Sequence, residues 1–357
     1  MQVEVSPARH EASLYGALVG CAVGDALGIA YENLSPRRVL RLFPDPTRYH
    51  LLPSMGLISD DAEQAMMTLR ALACSGGAPE RFLGLLATEL RVWLATLPAG
   101  IGLSTARAGI RLWLGVSLQR SGVHSAGNAP ALRGAILGVA LADEPERRAS
   151  LTRLATRLTH TDPKAEAGAH FCADLAALAA HSAGAPLPAD ALRQRIDACP
   201  AELREPLHAA LASVEAGQST EAFAQSQGWR RGVSGYIVHT AAAALHAWLR
   251  SPDDFVQAAA ALVRCGGDTD STAALLGIWM GAHLGEQVVP DALLARLKDP
   301  LARPDAMRAL AAATARAVQS ATPQPVRRPL YPLRLGRNLL FLALVIAHLL
   351  RRALPPY

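Results

Sequence analysis

Apolar residues recur at every third or fourth position along most of the chain, a period that predicts helix rather than strand. One helix is expected over residues 11–30, where Leu14, Leu18, Cys21, Ala22 and Leu27 fall together, and another over 64–73. Two more are expected between 80 and 118. The first carries Leu85, Leu86, Leu90, Trp93 and Leu94 on one stripe, and the second carries Ala108, Leu112 and Trp113. Further helices are expected over 151–158, over 164–180, in the Ala-rich stretch 181–228, and through His239, His246 and Trp248. The last ones run on from Ala273 and from Pro290 to about Ser320. Residues 33–58, punctuated by Pro36, Pro44, Pro46 and Pro53, read as a long irregular loop of a kind that is often functional. No long repeat, heptad run or glycine-rich nucleotide fingerprint interrupts the pattern. The expected fold is all-α: a single large orthogonal helical domain over 1–320, a Pro/Arg-rich linker over 321–333 and a short C-terminal apolar tail helix over 334–357.

Composition agrees with that picture. Hydrophobic residues make up 51% of the 357 positions and aromatics only 5%, with alanine abundant, which favours closely approaching helices over sheets. The net charge of +5 comes from 35 Lys and Arg against 30 Asp and Glu, and part of the excess lies in Arg-rich tail segments. No basic stripe interleaved with aromatics accompanies it, so no sequence-specific nucleic acid is expected as a partner. Cys21, Cys74, Cys172, Cys199 and Cys265 are scattered without a CxxC pair, which fits reduced thiols in a cytoplasmic protein. Met1 to His10 has no basic leader and Asp25 breaks the apolar run behind it, so no signal peptide is expected. A monomer is expected.

The tail adds one complication. Leu339 to Leu350 is a run of twelve residues, nearly all apolar, between Arg334/Arg337 and Arg351/Arg352. A helix spanning a bilayer needs ~20 apolar residues. A buried packing helix is therefore the favoured reading, followed by a peripheral membrane or partner contact through residues 334–352.

Chemistry concentrates in two acidic clusters. Gly266-Gly267-Asp268-Thr269-Asp270-Ser271-Thr272 places two carboxylates and three hydroxyls at the start of an apolar helix. Ser59-Asp60-Asp61-Ala62-Glu63 does the same two hundred residues upstream. One such residue makes an N-cap. Adjacent carboxylates repel each other unless a cation or a donor network neutralises them, and oxygen-only clusters suit hard cations. Capping and cation binding both remain open for each cluster. If the fold brings them together with Glu32, the meeting supplies five carboxylates and two hydroxyls, about what two octahedral cations need once waters complete their shells.

Other stretches carry weaker signals. Gly16, Gly20, Gly24 and Gly28 recur every four residues, implying close backbone contact along that helix face, with Asp25 set among them. The loop from Ser121 to Arg133 offers backbone N–H groups, and Arg133 could pair with a phosphate or a carboxylate. His160, in Thr159-His160-Thr161-Asp162-Pro163, stands at a helix break, where most histidines are capping or core residues. Gly228 to Tyr236 is a second Gly-rich loop. His239 and His246 share a helix face without zinc-site spacing.

Taken in order, these segments resemble the motifs of the ADP-ribosylglycohydrolases. Gly20-Cys21-Ala22-Val23-Gly24-Asp25-Ala26-Leu27-Gly28 with Glu32 is similar to the opening motif of that family. Ser59-Asp60-Asp61-Ala62-Glu63 resembles its Thr-Asp-Asp-Thr metal motif. Gly127-Asn128-Ala129-Pro130-Ala131-Leu132-Arg133, Thr159 to Ala165, and Gly266 to Ser271 resemble three further ones, and the match covers roughly residues 11–290.

The resemblance implies a hydrolase that cleaves the glycosidic bond of ADP-ribose attached to a protein side chain or small acceptor, with two Mg²⁺ or Mn²⁺ ions as cofactors. It implies Ser59, Asp60, Asp61, Asp268, Asp270 and Ser271 as metal ligands, and Glu32, Asp60, Asp61 and Asp268 as catalytic residues. It implies Asp25, Gly127, Asn128, Arg133 and His160 as substrate-binding residues.

The chain departs from the pattern at Ser59 and Ser271, where threonine is usual, and at Ala62, Ala129 and Asn33, but no carboxylate is lost. The competing expectation is a catalytically weak ADP-ribose-binding or partner-binding module, and a third makes the tail the point, as a membrane-surface component.

Overall fold

The computed structural model describes residues 6–354, and among them no strand forms. The helices are α1 (Pro7–Gly28), α2 (Pro36–Leu42), α3 (Asp60–Ser75), α4 (Pro79–Leu94), α5 (Leu103–Trp113) and α6 (Ala129–Ala140). Then come α7 (Pro145–Arg157), α8 (Pro163–Ser182), α9 (Ala189–Asp197), α10 (Ala201–Glu215), α11 (Thr220–Ser226) and α12 (Ile237–Arg250). The chain finishes with α13 (Phe255–Cys265), α14 (Thr269–Leu284), α15 (Asp291–Leu294), α16 (Pro304–Ser320) and α17 (Tyr331–Arg352).

The glycine stripe decides how the centre is built. Helices α1 and α14 are both almost wholly buried and run antiparallel, Gly16 meeting Gly281 and Gly28 meeting Thr269. A Cβ added at Gly20 would lie 2.2 Å from the Gly277 carbonyl oxygen, and one added at Gly277 would lie 2.0 Å from that of Gly20. The two backbones therefore touch, which is why small residues recur every fourth position on both. All four glycines of the stripe serve this contact. Helices α6 and α8 repeat the device, with Gly134 and Gly138 against the backbone of Ala169 and Ala173. Around this centre Trp93, Trp248 and Trp279 are fully buried.

The antiparallel pairing has a consequence for chemistry: the C-terminal end of α1 lies beside the N-terminal end of α14. Thr269 Oγ1 donates to the Gly28 carbonyl at 2.9 Å. Asp25, Glu32 and the second acidic cluster are thereby gathered at one end of the bundle.

Three expectations need correction. Residues 33–58 are not wholly irregular, because Pro36 at the first helical position starts the short helix α2. Helix α7 begins six residues before the periodic stretch at Leu151, at Pro145, where polar residues mask the apolar period. The tail helix starts at Tyr331 rather than at 334, and the linker before it is held against the domain: Gln324 N donates to the Ala73 carbonyl at 2.8 Å and Arg328 pairs with Glu89 at 2.5 Å.

The tail docks through a mixed face. Its inner side carries the buried Arg334, Arg337, Asn338 and Phe341 with Leu344 and Val345 packed beside them, while most of its leucines face outward. Arg334 Nε lies 3.0 Å from Glu63 Oε2, Arg337 Nε donates to Asp299 Oδ2 at 3.0 Å, and Asn338 Nδ2 donates to the Thr96 carbonyl at 2.9 Å. Two buried carboxylates, Glu63 and Asp299, need cations, and the arginines supply them.

Candidate active site

A cleft of about 310 Å³ opens at the gathered helix ends. Glu32, Asp60, Asp61, Asp268, Asp270 and Ser271 line it, together with Asn33, Gly127, Asn128 and His160. The two acidic clusters, separated in sequence, thus share one site. Among the lining residues there is no Lys or Arg.

The local architecture explains how they meet. Gly266 and Gly267 take φ of +68° and +86°, and Gly267 passes backbone to backbone between two other loops. Asn33 N donates to the Gly267 carbonyl at 2.7 Å, Gly267 N to the Leu34 carbonyl at 2.8 Å, and Asp268 N to the Val233 carbonyl at 2.7 Å. A Cβ at Gly267 would lie 2.1 Å from the Val233 oxygen, so only glycine fits. That knot fixes the loops of Glu32, Gly235 and Asp268 relative to one another.

On the other side Ser59 is the N-cap of α3, its Oγ accepting from Asp61 N at 3.4 Å. Asp25 lies fully buried beneath it. The Asp25 carboxylate accepts from Ser59 N at 2.8 Å and from Ala62 N at 3.0 Å, satisfying two orphan donors of the first turn of α3. Asp25 is therefore placed behind the cluster as a helix cap contributed from α1, away from the cleft lining where a substrate contact was expected. Ser59 is buried beside it and is not part of the lining either, whereas Ser271 is.

The electrostatics of the cluster are one-sided. Burial, followed by the charges of Asp61, Asp25, Glu32 and Glu63, pushes the Asp60 carboxyl well above the usual carboxylate range. Burial and neighbouring carboxylates do the same to Asp61 and Asp270. Glu32 is raised to about 7, first by burial and then by Asp268, against the opposing pull of Arg352 and a hydrogen bond from Asn33 Nδ2. Two contacts relieve the crowding: Ser271 Oγ donates to Asp61 Oδ2 at 2.6 Å, and Asn128 Nδ2 donates to Asp268 Oδ2 at 2.7 Å. Among the described residues, no three His, Cys, Asp or Glu side chains stand as a ready-made metal cage. The oxygens that could hold a hard cation are those of Asp60, Asp61, Asp268, Asp270 and Ser271.

Arg133 is also placed away from the cleft. It is buried, and its Nη1 donates to Gln64 Oε1 at 2.9 Å while Nη2 donates to Thr159 Oγ1. Gln64 Nε2 in turn donates to Asp60 Oδ2 at 2.9 Å. Arg133 acts on the site through two relays, one to Asp60 and one to His160. Thr159 Oγ1 accepts from Arg133 and lies 2.8 Å from His160 Nδ1, with which it shares a hydrogen bond. The other ring nitrogen, Nε2, lies next to Gly127, where a Cβ would lie only 3.1 Å away. Burial, and then the Arg133 charge, lower the imidazole pKa to about 3, so His160 is neutral at physiological pH and offers a polar ring nitrogen at the cleft.

Some lining residues had drawn no attention in the sequence. Gly100, Gly102, Leu103, Ser104 and Thr105 form one wall. Their only signal was the Pro98-Ala99-Gly100-Ile101-Gly102 break between two periodic stretches. Gln64 could have been found by spacing, since it sits one turn after Asp60 on the same face of α3. His246, by contrast, is buried and stacked on Phe223 with ring centroids 4.6 Å apart, far from any metal role.

Comparison with known proteins places this geometry. The sequence model of the ADP-ribosylglycohydrolase family matches residues 6–324. The chain is 27% identical to the ADP-ribosyl-[dinitrogen reductase] glycohydrolase of Rhodospirillum rubrum over 297 residues, covering 82% of this chain and 92% of that protein. An uncharacterized protein of Archaeoglobus fulgidus is 31% identical over 166 residues, covering 44% of this chain and 53% of its own length. A solved structure described as an ADP-ribosylglycohydrolase-related protein complex superposes with a TM-score of 0.65 at 28% identity, covering 87% of this chain and 99% of the other. The all-α fold, the family motifs meeting in one cleft and a match over nearly the whole helical domain agree: the chain belongs to the ADP-ribosylglycohydrolase family and is a glycosidic-bond hydrolase.

Proposed function

We propose that this protein is a divalent-cation-dependent hydrolase that releases ADP-ribose from a modified protein side chain or small acceptor. The observation that carries the reading is the convergence of Asp60 and Asp61 with Asp268, Asp270 and Ser271 on one cleft whose lining holds no Lys or Arg. Such an oxygen-only, carboxylate-rich donor set suits one or two hard cations, Mg²⁺ or Mn²⁺. When bound, the cation supplies Lewis acidity that orients sugar hydroxyls and acidifies water.

The chain's own residues supply the rest. Glu32, with a pKa near 7, exchanges a proton at neutral pH and is suited to general acid–base work on the glycosidic oxygen or on water. Carboxylates at the cleft favour the oxocarbenium-like charge that develops as a glycosidic bond breaks. Asn128, held by Asp268 and by Thr240 Oγ1 at 2.9 Å, and the neutral His160 offer fixed polar contacts for the sugar or nucleotide. Because Gly127 has no side chain, nothing stands between His160 Nε2 and the cleft.

The test is release of ADP-ribose from peptides modified on arginine or serine, with Mg²⁺ or Mn²⁺ present. Release that is lost in Asp268→Asn supports the reading. No release from any of them, with the cation demonstrably bound, overturns it. ADP-ribose binding unaffected by Asp268→Asn would point instead to a binding module.

A further inference from the structure

Helix α17 lies beyond residue 324, where the family match ends. It is apolar on its outer face as well as on part of its inner one. The face on the protein carries Arg334, Arg337 and Asn338 and then Phe341, Leu344 and Val345, and the outward face carries Leu339, Leu340, Ile346, Leu349 and Leu350, each between 48 and 66% exposed. With Ala343 and Ala347 between them, these outward positions form a stripe without a polar side-chain atom. The stripe lies along a single helix of 22 residues, about 33 Å long, raised on the surface.

The charges on the helix itself and on the exposed rim at its C-terminal end are all of one sign. No Asp or Glu occurs after Asp305, and every charged side chain of α17 is an arginine. At its C-terminal end the tail meets α2, which adds Arg37, Arg38 and Arg41 and an exposed Leu40: Arg38 Nη2 donates to the Arg352 carbonyl at 2.6 Å. An apolar stripe in the surface plane with a basic rim is the make-up of a helix that lies in a lipid interface.

We infer that α17 is a docking helix for the surface of an anionic lipid bilayer. Two features favour lipid over other occupants. Protein interfaces carry regular hydrogen bonds, and this stripe has no side-chain group to make them. The exposed arginines Arg37, Arg41 and Arg351 gather at the C-terminal end of the stripe, where they suit an anionic headgroup layer. The uncharged stretch Asn338–Leu350 is 13 residues, about 20 Å as a helix, which suits lying in the interface rather than crossing a hydrocarbon core of about 30 Å. The inner face stays engaged with Glu63 and Asp299 while the outer face meets lipid. Since Arg352 Nη1 donates to the Glu32 carbonyl at 2.8 Å, the docked surface lies beside the cleft.

The experiment is co-sedimentation of the full chain with phosphatidylcholine vesicles and with vesicles containing phosphatidylglycerol, alongside size-exclusion chromatography. Binding to the anionic vesicles about tenfold above the neutral ones, falling with salt, is expected. The double substitution Leu340→Glu/Ile346→Glu should cut that binding by about tenfold, with the helical circular dichroism and melting temperature preserved. Leu350→Glu, nearer the basic rim, provides a second variant should the double one fail to fold. No binding to either vesicle, or binding indifferent to both variants, overturns the inference. So does a dimer in solution that the Glu variants dissolve, because a second copy would then cover the face.

Discussion

Ser271 Oγ donates a hydrogen bond of 2.6 Å to Asp61 Oδ2, joining residues 210 positions apart at the first turns of α14 and α3. The bond aims one carboxylate of the cluster and removes one lone pair from a crowded set of acceptors. Ser271→Ala should therefore lower cation affinity or ADP-ribose release by about 10–100-fold, as loss of an orienting partner typically does. Ser271→Thr, which keeps the hydroxyl, should retain most of it. Titrating Mg²⁺ or Mn²⁺ against release by each variant checks this, and equal loss in both would remove the hydroxyl from the account.

The acidic cluster should make stability depend on pH and cation together. Asp25 and Glu32 are each raised to about 7, and Asp60, Asp61 and Asp270 are raised further in the same direction, burial being the first cause in each. A carboxyl whose folded pKa is raised binds its proton more tightly in the native state. Its contribution is favourable below about pH 4 and is lost as pH rises through the folded value. Buried neutral His160 and His246 act oppositely, losing stability as pH falls below 6.5. The difference between melting temperatures in chelator and in Mg²⁺ cancels the histidine part. That gap should widen from pH 5 to pH 8 and shrink in Asp60→Asn. A gap that does not change with pH would contradict the mutual repulsion inferred here.

The α1–α14 contact predicts a sharp steric penalty. Gly20→Ala places a methyl carbon 2.2 Å from the Gly277 oxygen, and the obstacle is backbone, which cannot rotate away. Separating the helices should cost about 1–3 kcal/mol or more, read as a lower melting temperature. Gly84→Ala, at a helical glycine with open space around it, is the control and should be neutral or stabilising.

The Arg334–Glu63 pair is almost completely buried. Arg334→Met leaves a buried carboxylate without its nearest cation, and about 3–5 kcal/mol of stability should be lost. Adding Glu63→Met should recover much of that loss, since removing both charges also removes their desolvation cost. Urea denaturation of the two single variants and the double completes the cycle. A double variant as unstable as the sum would show that packing, not charge, holds α17.

The sequence by itself determined the helices, because a period of three to four residues survives in any stretch that buries one face. It also determined the chemical content of the site, since paired Asp residues beside hydroxyls at two helix starts announce their purpose by being too many for a cap. The glycine stripe at Gly16, Gly20, Gly24 and Gly28 announced a close contact without naming the partner. Tertiary structure decided what those residues do to one another. Asp25 and Arg133 look like substrate contacts by motif, yet their side chains are used up by the Ser59 and Ala62 amides and by Gln64 and Thr159. The Gly100–Thr105 wall has no periodic or charged signature, so only its position reveals it. The orientation of α17 was hidden for a physical reason: its leucines argue for burial locally, but two buried carboxylates, fixed elsewhere in the fold, draw the arginines inward.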